Sequence, residues 1–299
     1  MKTAVIESPT IPLPRSLTMA DFAELVKARL TILVLVTTAV GFYLGWEGPM
    51  NYLALTKAVA GTALAAAGAA ALNQWWERNL DAIMLRTRTR PIPAGRMLPR
   101  EGLLAGALLG SAGVVYLALA VNFISAFLAA LTIVLYIFAY TPLKKISTTN
   151  TLVGAIPGAI PPVIGWVAAR GTLDIGAASL FAILFAWQMP HFFALAWMYR
   201  VDYARAGFRM MSQDDETGLR SSSQSVLFCI LLLMIAGTPF YIGLTTAVYL
   251  AIALALSAWF VVMAMRFHGD RSPRNARALF LSSIIYLPLL LGALVLTKV

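Results

Sequence analysis

Asn73, Glu77 and Asp81 are spaced i, i+4, i+8, so a helix through them stacks three oxygen-bearing side chains on one face. Such a stack at a helix end suits a hard cation. Arg86, Arg88 and Arg90 follow at once. Carboxylates beside arginines fit a metal together with a phosphate-rich ligand. The competing reading is a solvated loop at a membrane surface, whose arginines only set topology. Asp202 opens a second polar stretch. Alone it reads as a loop carboxylate paired with Arg200 or Arg205; on the same side as Glu77 and Asp81, it becomes a second anchor for Mg2+. Asp214, Asp215 and Glu216 read as a solvated cluster, and His268 as a solvent-facing residue of a basic loop. His191 follows Pro190 in an apolar run near Trp187 and Trp197, where a buried histidine usually serves as a structural hydrogen-bonding group. No Ser-His-Asp set and no phosphate-binding glycine loop can be placed.

The elements that must position these residues are membrane helices. The 299 residues are 60% hydrophobic and 12% charged, with a mean hydropathy of +0.79. Ordinary globular chains carry about 25% charged residues. Apolar runs of about 20 residues recur along the whole length, which marks a polytopic helical membrane protein. The single cysteine, Cys229, lies in one such run, so no disulfide within the chain and no Cys-based metal site can form.

Residues 1–20, with Pro9, Pro12 and Pro14, read as a flexible cytoplasmic tail, and nothing after Lys2 resembles a signal peptide. Residues 21–299 read as one transmembrane domain. After an amphipathic lead-in over 21–29, spans are expected at 31–46, 52–75, 102–121, 123–140, 152–169, 177–198, 226–244, 247–265 and 278–296. Pro157, Pro161 and Pro162 are expected to break the fifth span. The small residues Gly61, Ala65, Gly68, Ala69, Gly154 and Gly158 permit close helix approach.

With the N-terminus in the cytoplasm, all but Lys57, Arg170 and Lys298 of the 23 lysines and arginines fall in cytoplasmic segments. The positive-inside rule expects this bias. It accounts for the net charge of +10 and removes nucleic acid as a partner. The long loops 76–100 and 199–223 fall on the same side. The expected architecture is an all-α polytopic bundle of about nine transmembrane helices around a central cavity, with a cytoplasmic cap of loops.

The spacing Asn73-x-x-x-Glu77-x-x-x-Asp81 resembles the first acidic motif of the intramembrane aromatic prenyltransferases, the UbiA superfamily. Within that group, Asn73-x-Trp75-x-Glu77-Arg78-x-x-Asp81-x-x-Met84-x-Arg86-Thr87-x-x-Arg90-Pro91 looks like the protohaem IX farnesyltransferases, or haem O synthases. Three further stretches carry the likeness: Tyr140 to Lys145 continuing to Pro161-Pro162-x-Ile164-Gly165-Trp166, His191-Phe-Phe-Ala-Leu-Ala, and Asp202-Tyr203-x-x-Ala206-Gly207. The match runs from the first span to the ninth. The chain departs from the superfamily's usual second motif, Asp-x-x-x-Asp, because Met198 and Ala206 flank Asp202 at those offsets, and it has Glu at 77 where many relatives have Asp.

The resemblance implies an enzyme of the bacterial inner membrane that transfers a farnesyl group from farnesyl diphosphate to a vinyl group of protohaem IX, giving haem O. It implies Mg2+ as cofactor, held by Asn73, Glu77, Asp81 and Asp202. It implies Arg86, Arg90, Lys144 and Lys145 on the diphosphate, and His191 as the candidate for the haem iron or a propionate. Homo-oligomerisation and contact with a haem A synthase stay open. A prenyltransferase acting on a quinone or chlorophyll precursor is the second enzyme reading, and the Arg-Thr-x-x-Arg-Pro and Asp-Tyr-x-x-Ala-Gly stretches favour haem over it by resemblance. A transporter is the third, but the polar residues gather at one membrane face rather than along a path.

Overall fold

A computed structural model of the chain describes residues 18–299. Among the described residues the chain is helical, and nine stretches are long and apolar enough to cross a membrane. The elements are α1 (Met19–Leu25), α2 (Ala28–Gly45), α3 (Tyr52–Asp81), α4 (Pro99–Ala120), α5 (Phe123–Val134), a π-helical turn (Leu135–Tyr140), α6 (Thr141–Ile146), α7 (Asn150–Arg170), α8 (Ile175–Met198), α9 (Arg200–Arg205), α10 (Leu219–Ile235), α11 (Thr238–Tyr241), α12 (Ala247–Gly269) and α13 (Pro273–Leu296). The chain is an integral, multi-pass membrane protein. The tail expected over residues 1–20 lies outside the described residues apart from its last positions, and Met19 already opens α1.

Local chemistry sets several helix starts. Side-chain oxygens of Asn51, Asn122, Asp174 and Ser272 accept the first free amides of α3, α5, α8 and α13. Gly171, at φ +77°, ends α7 in the left-handed conformation that glycine adopts without steric cost. Between these signals the apolar runs have no reason to stop, because a backbone in lipid must satisfy its own hydrogen bonds.

Small residues bring the spans together. Gly68 of α3 faces Gly110 and Gly106 of α4 so closely that a Cβ there would meet the opposing backbone. Gly41 of α2 and Gly165 of α7 pack in the same way, against Pro162 and Thr38. Side chains at these points would force the helix pairs apart.

The fifth span does not break. Pro157, Pro161 and Pro162 all lie inside the continuous α7. Each removes one amide donor, from the carbonyls of Val153, Pro157 and Gly158, but α7 is buried between its neighbours and stays helical, and Gln188 of α8 ties it in place by donating to the Ala155 carbonyl at 2.8 Å. The polar stretch after the fourth span is also helical, because the π-helical turn carries that span on into α6.

Successive spans alternate in direction, so the ends of α3, α6, α8 and α12 gather at one end of the bundle. The loops there are knit together. The Arg209 amide donates to the Lys144 carbonyl at 2.6 Å, and Asn150 donates to the Arg209 carbonyl at 2.7 Å. Asp215, expected in solvent, is buried and accepts the Arg220 and Ser221 amides at the start of α10.

Candidate functional site

Asn73, Glu77 and Asp81 occupy the last turns of α3 on one face, as their spacing predicts. They are 1%, 4% and 2% exposed. Carboxylates this buried need partners, and each has one. Lys144 Nζ lies 2.7 Å from Glu77 Oε1, and Arg90 Nη1 lies 2.7 Å from Asp81 Oδ2. Asn73 Oδ1 accepts from Lys27 Nζ at 2.7 Å and from the Tyr136 hydroxyl at 3.4 Å, while its Nδ2 donates to Thr141 Oγ1 at 3.1 Å.

These side chains line a cavity of ≈ 200 Å³ at the polar end of the bundle. The π-helical turn shapes one wall. It places Tyr136 and Tyr140 in a stacked pair, 5.5 Å between ring centroids, and leads Lys144 into the cavity above the Tyr140 ring at 4.5 Å. Such turns recur at functional positions of helices. The loop over 82–98 forms another wall. Buried Met84 and Thr87 anchor it, and the Thr87 hydroxyl donates to the Asp81 carbonyl at 3.0 Å. Arg86 donates to the Tyr203 hydroxyl at 3.2 Å and lies over the rings of Tyr199 and Tyr203.

Lys27, Arg86, Arg90 and Lys144 outnumber Glu77 and Asp81 around the cavity. The excess is felt at Lys27. Desolvation, with Arg90 and Lys144 beside it, pushes Lys27 down to about 7. A concave site with surplus cations, backed by aromatic rings, is built to receive a multiply charged anion. The donor set Asn73, Glu77 and Asp81 is all hard oxygen and sits against that anion site, so it also fits a divalent metal bridging to phosphate oxygens.

Three expected site residues stand elsewhere. Lys145 is exposed to solvent and does not line the cavity. Asp202, expected opposite Glu77 and Asp81 as a second metal anchor, is turned to the loop instead. Its carboxylate accepts the Leu85 amide at 3.0 Å and the Arg86 amide at 3.4 Å, and pairs with Arg205 at 3.3 Å. With its oxygens engaged there, Asp202 positions the segment that carries Arg86. His191 lies beside the cavity-lining Phe192, held by Ser283 of α13 at 2.7 Å and flanked by Trp187 and Phe280.

Lys27 and Tyr136 line the site without having been singled out from the sequence, and Tyr140 and Tyr203, quoted only within the stretches that carry the likeness, line it too. Tyr136, Tyr140 and Lys144 repeat the i, i+4, i+8 spacing, which is the signal that finds the two tyrosines. Lys27, just before an apolar run, carries only the signature of a topology-setting charge.

Below the polar cavity lies a smaller apolar crease of ≈ 30 Å³, lined in part by Val34, Ala69 and Thr132. These residues are one helical turn from Leu30, Asn73 and Tyr136 of the polar cavity, so the two spaces share the walls of α2, α3 and the fourth span.

Comparison with known proteins agrees with this geometry. The model of the UbiA prenyltransferase family matches residues 34–287. A protein of Solibacter usitatus (strain Ellin6076), called protoheme IX farnesyltransferase, is 42% identical over 289 residues, covering 94% of this chain and 99% of its own. A solved structure concerned with digeranylgeranylglyceryl phosphate synthase superposes with a TM-score of 0.79 at 14% identity, covering 93% of this chain and 98% of its own. A UbiA homolog from Archaeoglobus fulgidus, bound to GPP and Mg2+, superposes with a TM-score of 0.67 at 14% identity, covering 92% and 99%. At that identity the structures establish the fold alone. Family and fold together place the polar cavity in a known architecture: the chain belongs to the UbiA prenyltransferase family.

Proposed function

We propose that this protein is a protohaem IX farnesyltransferase, which joins the farnesyl group of farnesyl diphosphate to a vinyl group of protohaem IX and gives haem O. The observation that carries this reading is the pairing of a cation-rich cavity with a buried oxygen-donor face, in a chain 42% identical to a protein of that name. The Archaeoglobus homolog, bound to GPP and Mg2+, supports a prenyl diphosphate and a divalent metal as the ligands.

Asn73, Glu77 and Asp81 would hold Mg2+. That ion would supply electrostatic stabilisation of charge growing on the leaving diphosphate. Arg86, Arg90 and Lys144 bind the diphosphate oxygens and stabilise the same charge. The apolar crease below Asn73 and Tyr136 marks the direction in which a farnesyl chain would leave the charges, and at ≈ 30 Å³ it must widen to take one. The carbon–oxygen bond to diphosphate breaks with its electron pair going to oxygen. The allylic cation left behind faces the rings of Tyr136, Tyr140 and Tyr203. The vinyl π electrons form the new carbon–carbon bond. Water then adds to the remaining carbocation and loses a proton, leaving a hydroxyethylfarnesyl side chain. The buried cavity keeps water from the first cation.

His191 is the haem-side candidate. Its Nδ1 lies 2.7 Å from Ser283 Oγ, a contact that fixes the ring between α8 and α13 beside the aromatic rings of Trp187 and Phe280. The clustering of lysines and arginines at the site's end of the bundle supports an N-terminus and active site facing the cytoplasm of a bacterial inner membrane.

The direct test is diphosphate release by the purified protein. Release that requires farnesyl diphosphate, protohaem and Mg2+ together is the expected result. Release without any haem or other acceptor would contradict the transfer.

A further inference from the structure

Each of the three side chains assigned to the metal already holds a cation of the chain itself. Lys27 is on Asn73, Lys144 on Glu77 and Arg90 on Asp81, each at 2.7 Å. The pairing is one to one, and the three cations come from separate elements: the elbow between α1 and α2, helix α6, and the loop over 82–98. The lone pair of Asn73 Oδ1, Glu77 Oε1 or Asp81 Oδ2 that accepts the N–H is not available to a metal until that N–H moves away, and an ion seated on the remaining carboxylate oxygens would lie against the same three cations. A divalent ion approaching alone would also meet the surplus positive charge around the cavity. A diphosphate removes both obstacles, because its oxygens compete for the ammonium and guanidinium groups and its charge offsets theirs.

Lys27 is held in place for this purpose at a conformational cost. It is the one non-glycine residue with positive φ among the described residues, at φ +49° and ψ +50°. A left-handed lysine persists only where its surroundings hold it. Gln74 donates to the Glu24 and Leu25 carbonyls at 2.7 and 2.9 Å, and Arg96 pairs with Asp21 at 2.6 Å and Glu24 at 2.9 Å. The elbow turns Lys27 inward, between the Tyr136 ring and Asn73. A lysine that only set topology would need no such elbow.

We propose that Lys27, Lys144 and Arg90 stand in for the divalent metal in the diphosphate-free protein, and that the incoming diphosphate draws them off Asn73, Glu77 and Asp81, so that metal binds only with the diphosphate. The proposal rests on the diphosphate reading given above, and it adds Lys27 to the residues that contact the diphosphate.

Binding of Mn2+ to the purified full-length protein, followed by electron paramagnetic resonance, tests it. The titration is run at about pH 6, below the lowered Lys27 value so that the lysine carries its proton, with and without the unreactive analogue farnesyl thiolodiphosphate. Wild type is expected to bind Mn2+ at least about tenfold more weakly without the analogue. Lys27→Met is expected to tighten Mn2+ binding about tenfold in the absence of the analogue, and to weaken the analogue by a similar factor. Lys27→Arg keeps the charge and is expected to behave as wild type in both titrations. Equal Mn2+ affinity with and without the analogue in wild type overturns the exchange, whatever the variants do. A Lys27→Met protein that folds and shows neither change overturns the role of Lys27. Absence of Mn2+ binding even with the analogue overturns the metal reading itself, a result distinct from the other two.

Discussion

Lys144 Nζ lies 2.7 Å from Glu77 Oε1, and both side chains are almost removed from solvent. The lysine reaches that place because the π-helical turn carries the fourth span into α6 over the end of α3. Removing one partner of a buried ion pair leaves the other charged and unpaired, at a cost of about 3–5 kcal/mol. Lys144→Met is therefore expected to lower stability by that amount in a thermal melt of the solubilised protein. The double variant Lys144→Met/Glu77→Gln is expected to recover most of the loss while both remain inactive. Equal melting of single and double variants would count against the pair.

Asp202 holds the Leu85 and Arg86 amides rather than the metal donors. Asp202→Asn is expected to raise the KM for farnesyl diphosphate about tenfold, the size of a charge-assisted hydrogen bond lost from the support of Arg86. The Mg2+ concentration giving half-maximal activity is expected to stay unchanged. A strong rise in that Mg2+ requirement would return Asp202 to the metal.

These two cases mark what is legible in the sequence. The face of Asn73, Glu77 and Asp81 is readable because helical geometry fixes it by spacing alone, and the nine spans are readable because lipid demands long apolar runs. The partners of Asp202 are not readable, since nothing in its spacing says which loop amides will fold against it. Lys27 is hidden for a related reason: its inward turn depends on an elbow fixed by Gln74 and Arg96, both distant in sequence. The continuity of α7 is misread because proline arithmetic counts lost donors and ignores the neighbours that enclose the helix.

His191 Nδ1 lies 2.7 Å from Ser283 Oγ, so the ring bridges α8 and α13. His191→Ala is expected to abolish the Soret shift on haem titration while farnesyl diphosphate binding stays within about twofold. An unchanged haem spectrum and affinity would make His191 a structural tie between α8 and α13.

The docking of α1 has its own pH signature. Hydrogen bonds from Thr18 and then Arg96 hold the Asp21 carboxyl at about 2, below the ordinary 3.8. A depressed folded-state pKa stabilises the docked helix above the ordinary value, and that contribution is lost as pH falls towards 2. Amide exchange along α1 is therefore expected to show constant opening free energy between about pH 5 and pH 6, below the lowered Lys27 value, and Asp21→Asn is expected to loosen α1 across that range. Equal protection in wild type and Asp21→Asn would show that the Asp21 contacts do not hold α1.

The decisive measurement is mass spectrometry of haem extracted from membranes with and without this protein. A haem bearing a hydroxyethylfarnesyl group is expected only where the protein is present, and is expected to be lost in Asp81→Asn. Unmodified protohaem alone, with farnesyl found instead on a quinone or another aromatic acceptor, would contradict it.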